Sequence, residues 1–372
     1  MAAFLPRRFE DLTGFAAADH RAAFSAFRAS AGRLIDGAFP TGALGLRAEA
    51  FRPAAVAALR VGEILDAEAA RRFFESHFTP LAIVPDGARV PDAGGAGFLT
   101  GYYEPVVEAS DEPDDVFRFP LYGRPDDLVK IDDVNRPPGF DPEFRFGRRL
   151  SCGMIGEYFD RGAIEAGALK GRGLEIAWLA DRVEAFFIHV QGSARLQMRD
   201  GRQMRVGYAA KSGHPFTAVG RSLVEEGALT LAKADMVGIR AYLAAHADRA
   251  DDILARNRSF IFFAEIPVDD PALGPLGAAK VPLTPLASIA VDRLLSTYGI
   301  PYFIASDALT IGGAPFRRTM IAQDTGSAIL GAARADIFVG TGDAAGAIAG
   351  TIRHPADFFV LVPPDLAAEL TS

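Results

Sequence analysis

The sequence predicts an α+β or mainly β fold rather than a doubly wound parallel sheet. Three observations predict it. Helix-period patterns gather at the start of the chain, short aromatic or β-branched runs are scattered between long connections, and no regular βαβ alternation links them. The chain has 372 residues, 49% of them hydrophobic, enough to bury a substantial core. At roughly 100–200 residues per domain, two domains are expected.

In chain order, Phe24, Phe27, Ala31 and Leu34 lie at helical spacing behind Asp19, which reads as an N-cap. A second helix is expected from Asp66 through Phe73, Phe74 and Phe78. Residues 110–149 are rich in Asp and Pro (DEPDD, RPDD, NRPPGFDP) and read as long loops joining short strands. The runs 186–190, 259–263, 320–322 and 358–362 are aromatic or β-branched, and each is expected to be a core strand. One helix is expected over about 235–256, with Met236, Ile239 and Leu243 on one face. No internal repeat or low-complexity segment stands out.

Composition excludes several function classes. A net charge of −8 offers no basic face for a phosphate backbone, so nucleic acid is not an expected partner. Every apolar run is interrupted by charge well before the ~18 residues of a membrane span. Cys152 is the only cysteine, which rules out disulfides within the chain and thiolate clusters. The six histidines are scattered without an HExxH pair, so neither a metal nor another cofactor is expected. The opening MAAFLPRRFEDL shows no apolar h-region, so no export signal is visible.

The chemistry concentrates in DTGSAILGAARADIFVG at 324–340, where Asp324 is followed twelve residues later by Asp336. Two acids so placed mean catalysis or a tightly held structural network. The DTGS turn resembles the active-site turn of aspartic proteases, but such an enzyme needs two aspartates sharing a proton, and no second DTG or DSG exists. Other motifs have plainer explanations. GTGDAAG at 340–346 lacks the Lys-Ser/Thr of a phosphate loop and reads as a turn bordering a ligand groove. His214 before Pro215 reads as a local hydrogen-bonding residue, and Trp178 in GLEIAWL as a core residue sooner than a sugar-stacking one. Glu175 is either functional or on the solvent side of a strand. Tyr102 and Tyr103 in GFLTGYYEP suit a carbohydrate, each with a stacking face and a hydroxyl, or are ordinary strand aromatics facing opposite sides. In HVQGSARL, Gln191 and Ser193 flank Gly192, where the backbone can approach a ligand closely.

Taken together, TGYYEPVVEA, GRGLEIAWL with FFIHVQGSARL, VGYAAKSGHPFTAVGRSL, NRSFIFF, VPLTPLASIAVD, and MIAQDTGSAILG with RADIFVGTGDAAG resemble the MltA family of membrane-bound lytic murein transglycosylases. They occur in the family's order over about residues 70–362. The resemblance implies a double-psi β-barrel built from residues 1–106 and 264–372, with N-terminal helices. It also implies an inserted β-rich domain at 107–263 and a glycan groove at their junction. The expected activity is non-hydrolytic cleavage of the β-1,4 bond between N-acetylmuramic acid and N-acetylglucosamine, leaving a 1,6-anhydromuramic end. The expected partner is the peptidoglycan glycan strand. The expected setting is the periplasm of a bacterial envelope, for a monomer whose outer-membrane anchor lies on a segment outside this chain.

The family's three aspartates fall on Asp292, Asp324 and Asp336, and the resemblance makes Asp336 the catalytic acid. One carboxyl suffices when the sugar's own C6 hydroxyl attacks, whereas ordinary glycosidases need two. Asp336 must then hold its proton toward neutral pH, through burial against Ile337 and Phe338 or through the charge of Asp324. For Asp292 and Asp324, a positioning role and a purely structural one are equally open. Substrate contacts carried over are Thr100, Tyr102, Tyr103, Gln191, Gly192, Ser193, Lys211 and Gly340. Ser327 and Leu330 depart from the Gly and Lys common in the family's DxGGAIKG stretch. A non-catalytic glycan-binding barrel of the expansin type would keep the aromatics but has no use for the acid at 336.

Overall fold

The computed structural model describes residues 2–62, 65–85, 97–268 and 270–372. The chain forms two compact units, one of Met1–Tyr103 with Asp270–Ser372 and one of Glu104–Asp269. It lays down β1 (Ala3–Pro6), β2 (Thr79–Val84) and β3 (Gly97–Glu104). In the second unit follow β4 (Val106–Ser110), β5 (Phe119–Tyr122), β6 (Leu128–Lys130), β7 (Phe146–Arg149), β8 (Ile155–Gly156), β9 (Glu175–Leu179), β10 (Ser193–Met198), β11 (Gln203–Lys211) and β12 (Ile261–Ile266). The chain then returns for β13 (Ser288–Val291), β14 (Pro301–Ile311), β15 (Ala314–Asp324), β16 (Arg334–Thr341) and β17 (Arg353–Val362).

The first unit closes on itself. Its strands run β17-β14-β15-β13-β16-β3, and β3 pairs back onto β17, giving a six-stranded barrel with β1 and β2 added beside it. Strand β17 serves both neighbours on one edge: residues 353–356 pair with β3 and 359–362 with β2. The short β13 lies between two later strands, parallel to β15 and antiparallel to β16. Helices Arg21–Ile35 and Ala67–His77 cover the barrel with a cluster of phenylalanines. Phe24, Phe27, Phe74 and Phe78 are all buried, and ring centroids such as Phe24–Phe73 lie 5.0 Å apart. Buried Gln323 ties β15 to the first helix, donating to Ala26 O and Ser30 Oγ at 2.8 Å each.

The second unit holds a six-stranded sheet, β12-β11-β10-β4-β9-β5, whose edges meet at a bridge between Gly123 and Phe263, and a three-stranded sheet, β6-β7-β8. Leu121, Ala177, Ile188, Leu196, Val206 and Phe263 form the core of the larger sheet. Within it Glu104, fully buried, receives Arg205 Nε at 2.6 Å and Arg195 Nη2 at 2.9 Å, so the one carboxylate is satisfied by two guanidinium groups. Among the described residues, no helix is long and apolar enough to cross a membrane.

Several local expectations need correcting. Residues 186–190 are not a strand but lie in the helix Arg182–Gln191. Asp181 caps it by accepting from Val183 and Glu184 N–H, and Gly192, at φ 80°, ends it in the left-handed region. The helix expected over 235–256 is broken. It runs Met236–Ala245 behind its cap Asp235, stops at His246, which stacks on Tyr242, and resumes at Ala250–Ala255. The strand expected at 259–263 starts two residues later, at Ile261. Asp19 accepts from Arg21 N–H at 3.0 Å, but the N-cap position is His20. His20 cannot supply the cap bond because its buried ring joins Phe15 O and Thr319 Oγ1. Trp178 is partly exposed on β9 rather than in the core.

Candidate active site

Strand pairing sets the two carboxylates of the DTG and RAD motifs on either side of the same short strand, β13. Asp336 on β16 and Asp324 on β15 both stand opposite Ala290 of β13, one on each side. Their Cα atoms are therefore about two strand spacings, roughly 10 Å, apart. A register slip in the β13–β15 pair makes Ala290 face Asp324 where Gln323 would otherwise stand. Gln323 then points to the first helix and Asp324 to the site, as a bulge re-aims a side chain.

Strand β3, next to β16 in the barrel, supplies further site residues. Alternate residues point to one face, so Thr100 and Tyr102 go together and Gly101 and Tyr103 go the other way. Thr100 donates a hydrogen bond to Asp336 Oδ1. The Tyr102 hydroxyl donates to Asp324 Oδ2 at 2.9 Å, and its ring centroid lies 5.4 Å from that of Phe338. Asp324 Oδ1 accepts from Ala278 N–H at 3.0 Å. Arg334, two residues before Asp336 and on its face, donates from Nη1 to Asp336 Oδ1 at 2.6 Å and from Nη2 to Thr100 Oγ1 at 2.7 Å.

Burial pushes the Asp336 carboxyl above the ordinary carboxylate range, and the neighbouring Arg334 pulls against that rise. Burial is the largest cause of that rise, and the charge repulsion between Asp324 and Asp336 is shared by the pair. Asp324 is raised by burial and further by the charge of Asp336, while hydrogen bonds from Thr325 N–H, Ala278 N–H and Tyr102 hold it back. Partial burial and the two neighbouring acids hold Tyr102 neutral, well above the usual phenol range. Asp336 keeps a side-chain exposure of 20%, so a ligand can reach it.

Asp292 is placed differently. Only 7% exposed, it accepts from Leu294 N–H at 3.0 Å and Gly331 N–H at 2.9 Å, and so fastens the 325–333 loop that leads into β16. Tyr103 packs away from the carboxylates, against the helix Asp343–Ala349, where a Cβ on Gly346 would fall 2.7 Å from its ring. Gly340 sits on β16 at φ 143°, against Ala345 and Pro285. Gln191, Gly192, Ser193 and Lys211 belong to the second unit. Gln191 ends the Arg182–Gln191 helix, Gly192 caps it, buried Ser193 opens β10 and Lys211 ends β11. His214 is buried there, with Nε2 bonded to Tyr158 O at 2.8 Å. Arg334 and Ala278 were missed in the sequence; the signal for Arg334 is its i−2 spacing from Asp336 on a strand.

Membrane-bound lytic murein transglycosylase A of Vibrio cholerae is 30% identical over 290 residues, 74% of this chain and 69% of that protein. This chain belongs to the MltA family. The MltA-specific insert domain matches residues 98–264 and the 3D domain residues 287–362. The 3D domain is a double-psi barrel, and its match takes in five of the six barrel strands, β13 to β17. A crystal structure of a membrane-bound lytic murein transglycosylase from Agrobacterium tumefaciens aligns at a TM-score of 0.90 and 44% identity, covering 99% of each chain. One of MltA from Neisseria gonorrhoeae aligns at 0.77 and 32%, covering 97% of this chain and 93% of that one.

Proposed function

We propose that this peptidoglycan lytic transglycosylase cleaves the β-1,4 bond between N-acetylmuramic acid and N-acetylglucosamine with Asp336 as its single acid and base. The observation that carries the reading is the Asp336 carboxyl: buried enough to keep its proton above the usual range, yet reachable, in a family whose named members are lytic transglycosylases. Protonated Asp336 gives its proton to the glycosidic oxygen as the C1–O bond breaks, and the electron pair leaves with that oxygen. The carboxylate so formed takes the proton of the C6 hydroxyl while O6 bonds to C1. The acid is restored and no water is consumed. The nucleophile is part of the substrate and needs no second carboxylate to activate it.

In this reading Asp324 and Tyr102 form one hydrogen-bonded pair that shapes the wall beside the reacting sugar, and Asp292 holds the loop leading to the acid. Thr100 acts on Asp336 itself. Gln191 and Lys211 offer separate candidate glycan contacts on the second unit. The aspartic-protease reading loses its basis, because each acid has its own partners and no hydrogen bond joins Asp324 to Asp336 among the described residues.

The test is Asp336→Asn on purified sacculi. Loss of a correctly placed acid and base lowers the rate by at least about 10²–10⁴-fold, with the fold retained by circular dichroism. Undiminished release of muropeptides by the variant would remove Asp336 from the mechanism.

A further inference from the structure

We infer that Arg334 sets the proton affinity of Asp336 and, with Thr100, dictates that Oδ2 is the oxygen that exchanges the proton with the sugar. The inference rests on Asp336 being the acid and base, and adds a positioning residue to it. Three hydrogen bonds close a ring. Arg334 Nη1 reaches Asp336 Oδ1 at 2.6 Å, Arg334 Nη2 reaches Thr100 Oγ1 at 2.7 Å, and the Thr100 hydroxyl donates to the same Oδ1. A guanidinium has no acceptor, so Thr100 must receive from Arg334 and turn its own proton to the aspartate. Oδ1 then holds two donors, and a protonated Asp336 carries its proton on Oδ2.

Arg334 is well anchored for this. It shares a strand face with Asp336, is only 17% exposed, donates also to Ala335 O at 2.6 Å, and sets its guanidinium carbon 5.7 Å from the Phe98 ring centroid on β3. Among the described residues, the charged or titratable groups facing the acid are few. Arg334 comes from β16 itself, Tyr102 from β3 and Asp324 from β15, while β13 offers only Ala290 opposite it. Tyr102 is neutral and hydrogen-bonded to Asp324, which leaves Arg334, among the described residues, as the cation acting on Asp336.

The two half-steps make opposite demands. Giving a proton to the leaving oxygen at neutral pH requires a carboxyl that has kept it, which burial provides. The carboxylate then formed would be an unpaired charge out of water, and Arg334 is already in place to pair with it. The guanidinium therefore lowers the proton affinity from the value burial alone would set, toward one at which both transfers proceed.

The experiment measures anhydromuropeptide release from sacculi across pH for the full chain carrying Arg334→Gln, Arg334→Lys or Asp336→Asn, each checked by circular dichroism. In Arg334→Gln the alkaline limb of the profile moves up by about one to three pH units, the amount by which an adjacent arginine lowers a carboxyl. Its maximal rate falls on the order of 10–100-fold as the acid loses its alignment. Arg334→Lys keeps the charge but not the two-pronged fork, so its limb stays near the wild-type position while its rate drops. A folded Arg334→Gln with an unmoved limb would overturn the inference. Should that variant fail to fold, an upward displacement of the limb in Arg334→Lys would overturn it instead. An active Asp336→Asn brings down the acid–base reading itself, whereas an inactive one beside an unmoved Arg334→Gln limb brings down only the role of Arg334.

Discussion

Asp324 and Asp336 are chemically identical and differ only in their partners. Asp336 is held through one oxygen by a cation and a hydroxyl, while Asp324 is held through both oxygens by a phenol and backbone N–H groups. The first arrangement leaves an oxygen for substrate and the second does not. Asp324 has a proton affinity raised by burial, so the folded chain binds that proton more tightly than the unfolded one. Its contribution to stability is fully present below the unfolded carboxyl value of about 3.9 and is lost as pH rises through the raised folded value. Asp324→Asn removes the buried charge and keeps an acceptor for Ala278 N–H. Thermal melts are thus expected to show it at least as stable as wild type at pH 7, with the advantage vanishing in acid. A variant less stable at pH 7 than at pH 3, relative to wild type, would show that the charge itself holds the fold. The three family aspartates, Thr100 and Tyr102 could be named as candidates because their motifs are short and ordered. Arg334 was not, since an arginine two residues before an acid means a shared face only once that segment is known to be a strand.

Strand β3 shows how one element divides its labour. Thr100 and Tyr102 meet the carboxylates, while Gly101 and Tyr103 pack on the helix Asp343–Ala349. The Tyr-Tyr pair is thus one site residue and one packing residue. The last glycine of GTGDAAG is explained by the same contact, because a Cβ at Gly346 would lie 2.7 Å from the Tyr103 ring. Gly346→Ala should cost about 1–3 kcal/mol by overpacking, measured by urea unfolding. An unchanged midpoint would mean that the ring moves freely and that β3 is not fixed from behind. The misread run at 186–190 teaches the converse. Five consecutive apolar residues carry no decisive period, and the real signals were the flanking Asp181 and Gly192, which start and stop a helix.

At the scale of the whole molecule, the fold class and the early helices were readable from pattern, but closure of the barrel was not. It depends on β13 inserting between β15 and β16, and on β3 pairing with β17 some 250 residues later. Nothing local encodes such pairings, and only the ordered motifs of the family pointed to them. Closure is also what brings Thr100 and Tyr102 of β3 to Asp336 and Asp324 respectively, so the chemistry is a product of topology rather than of any one segment. Digesting sacculi in heavy-oxygen water and weighing the products by mass spectrometry shows whether a single carboxyl completes the reaction without water. The expected products are anhydromuropeptides, one water lighter than hydrolytic ones and free of the label. Label at newly formed reducing ends would contradict the account.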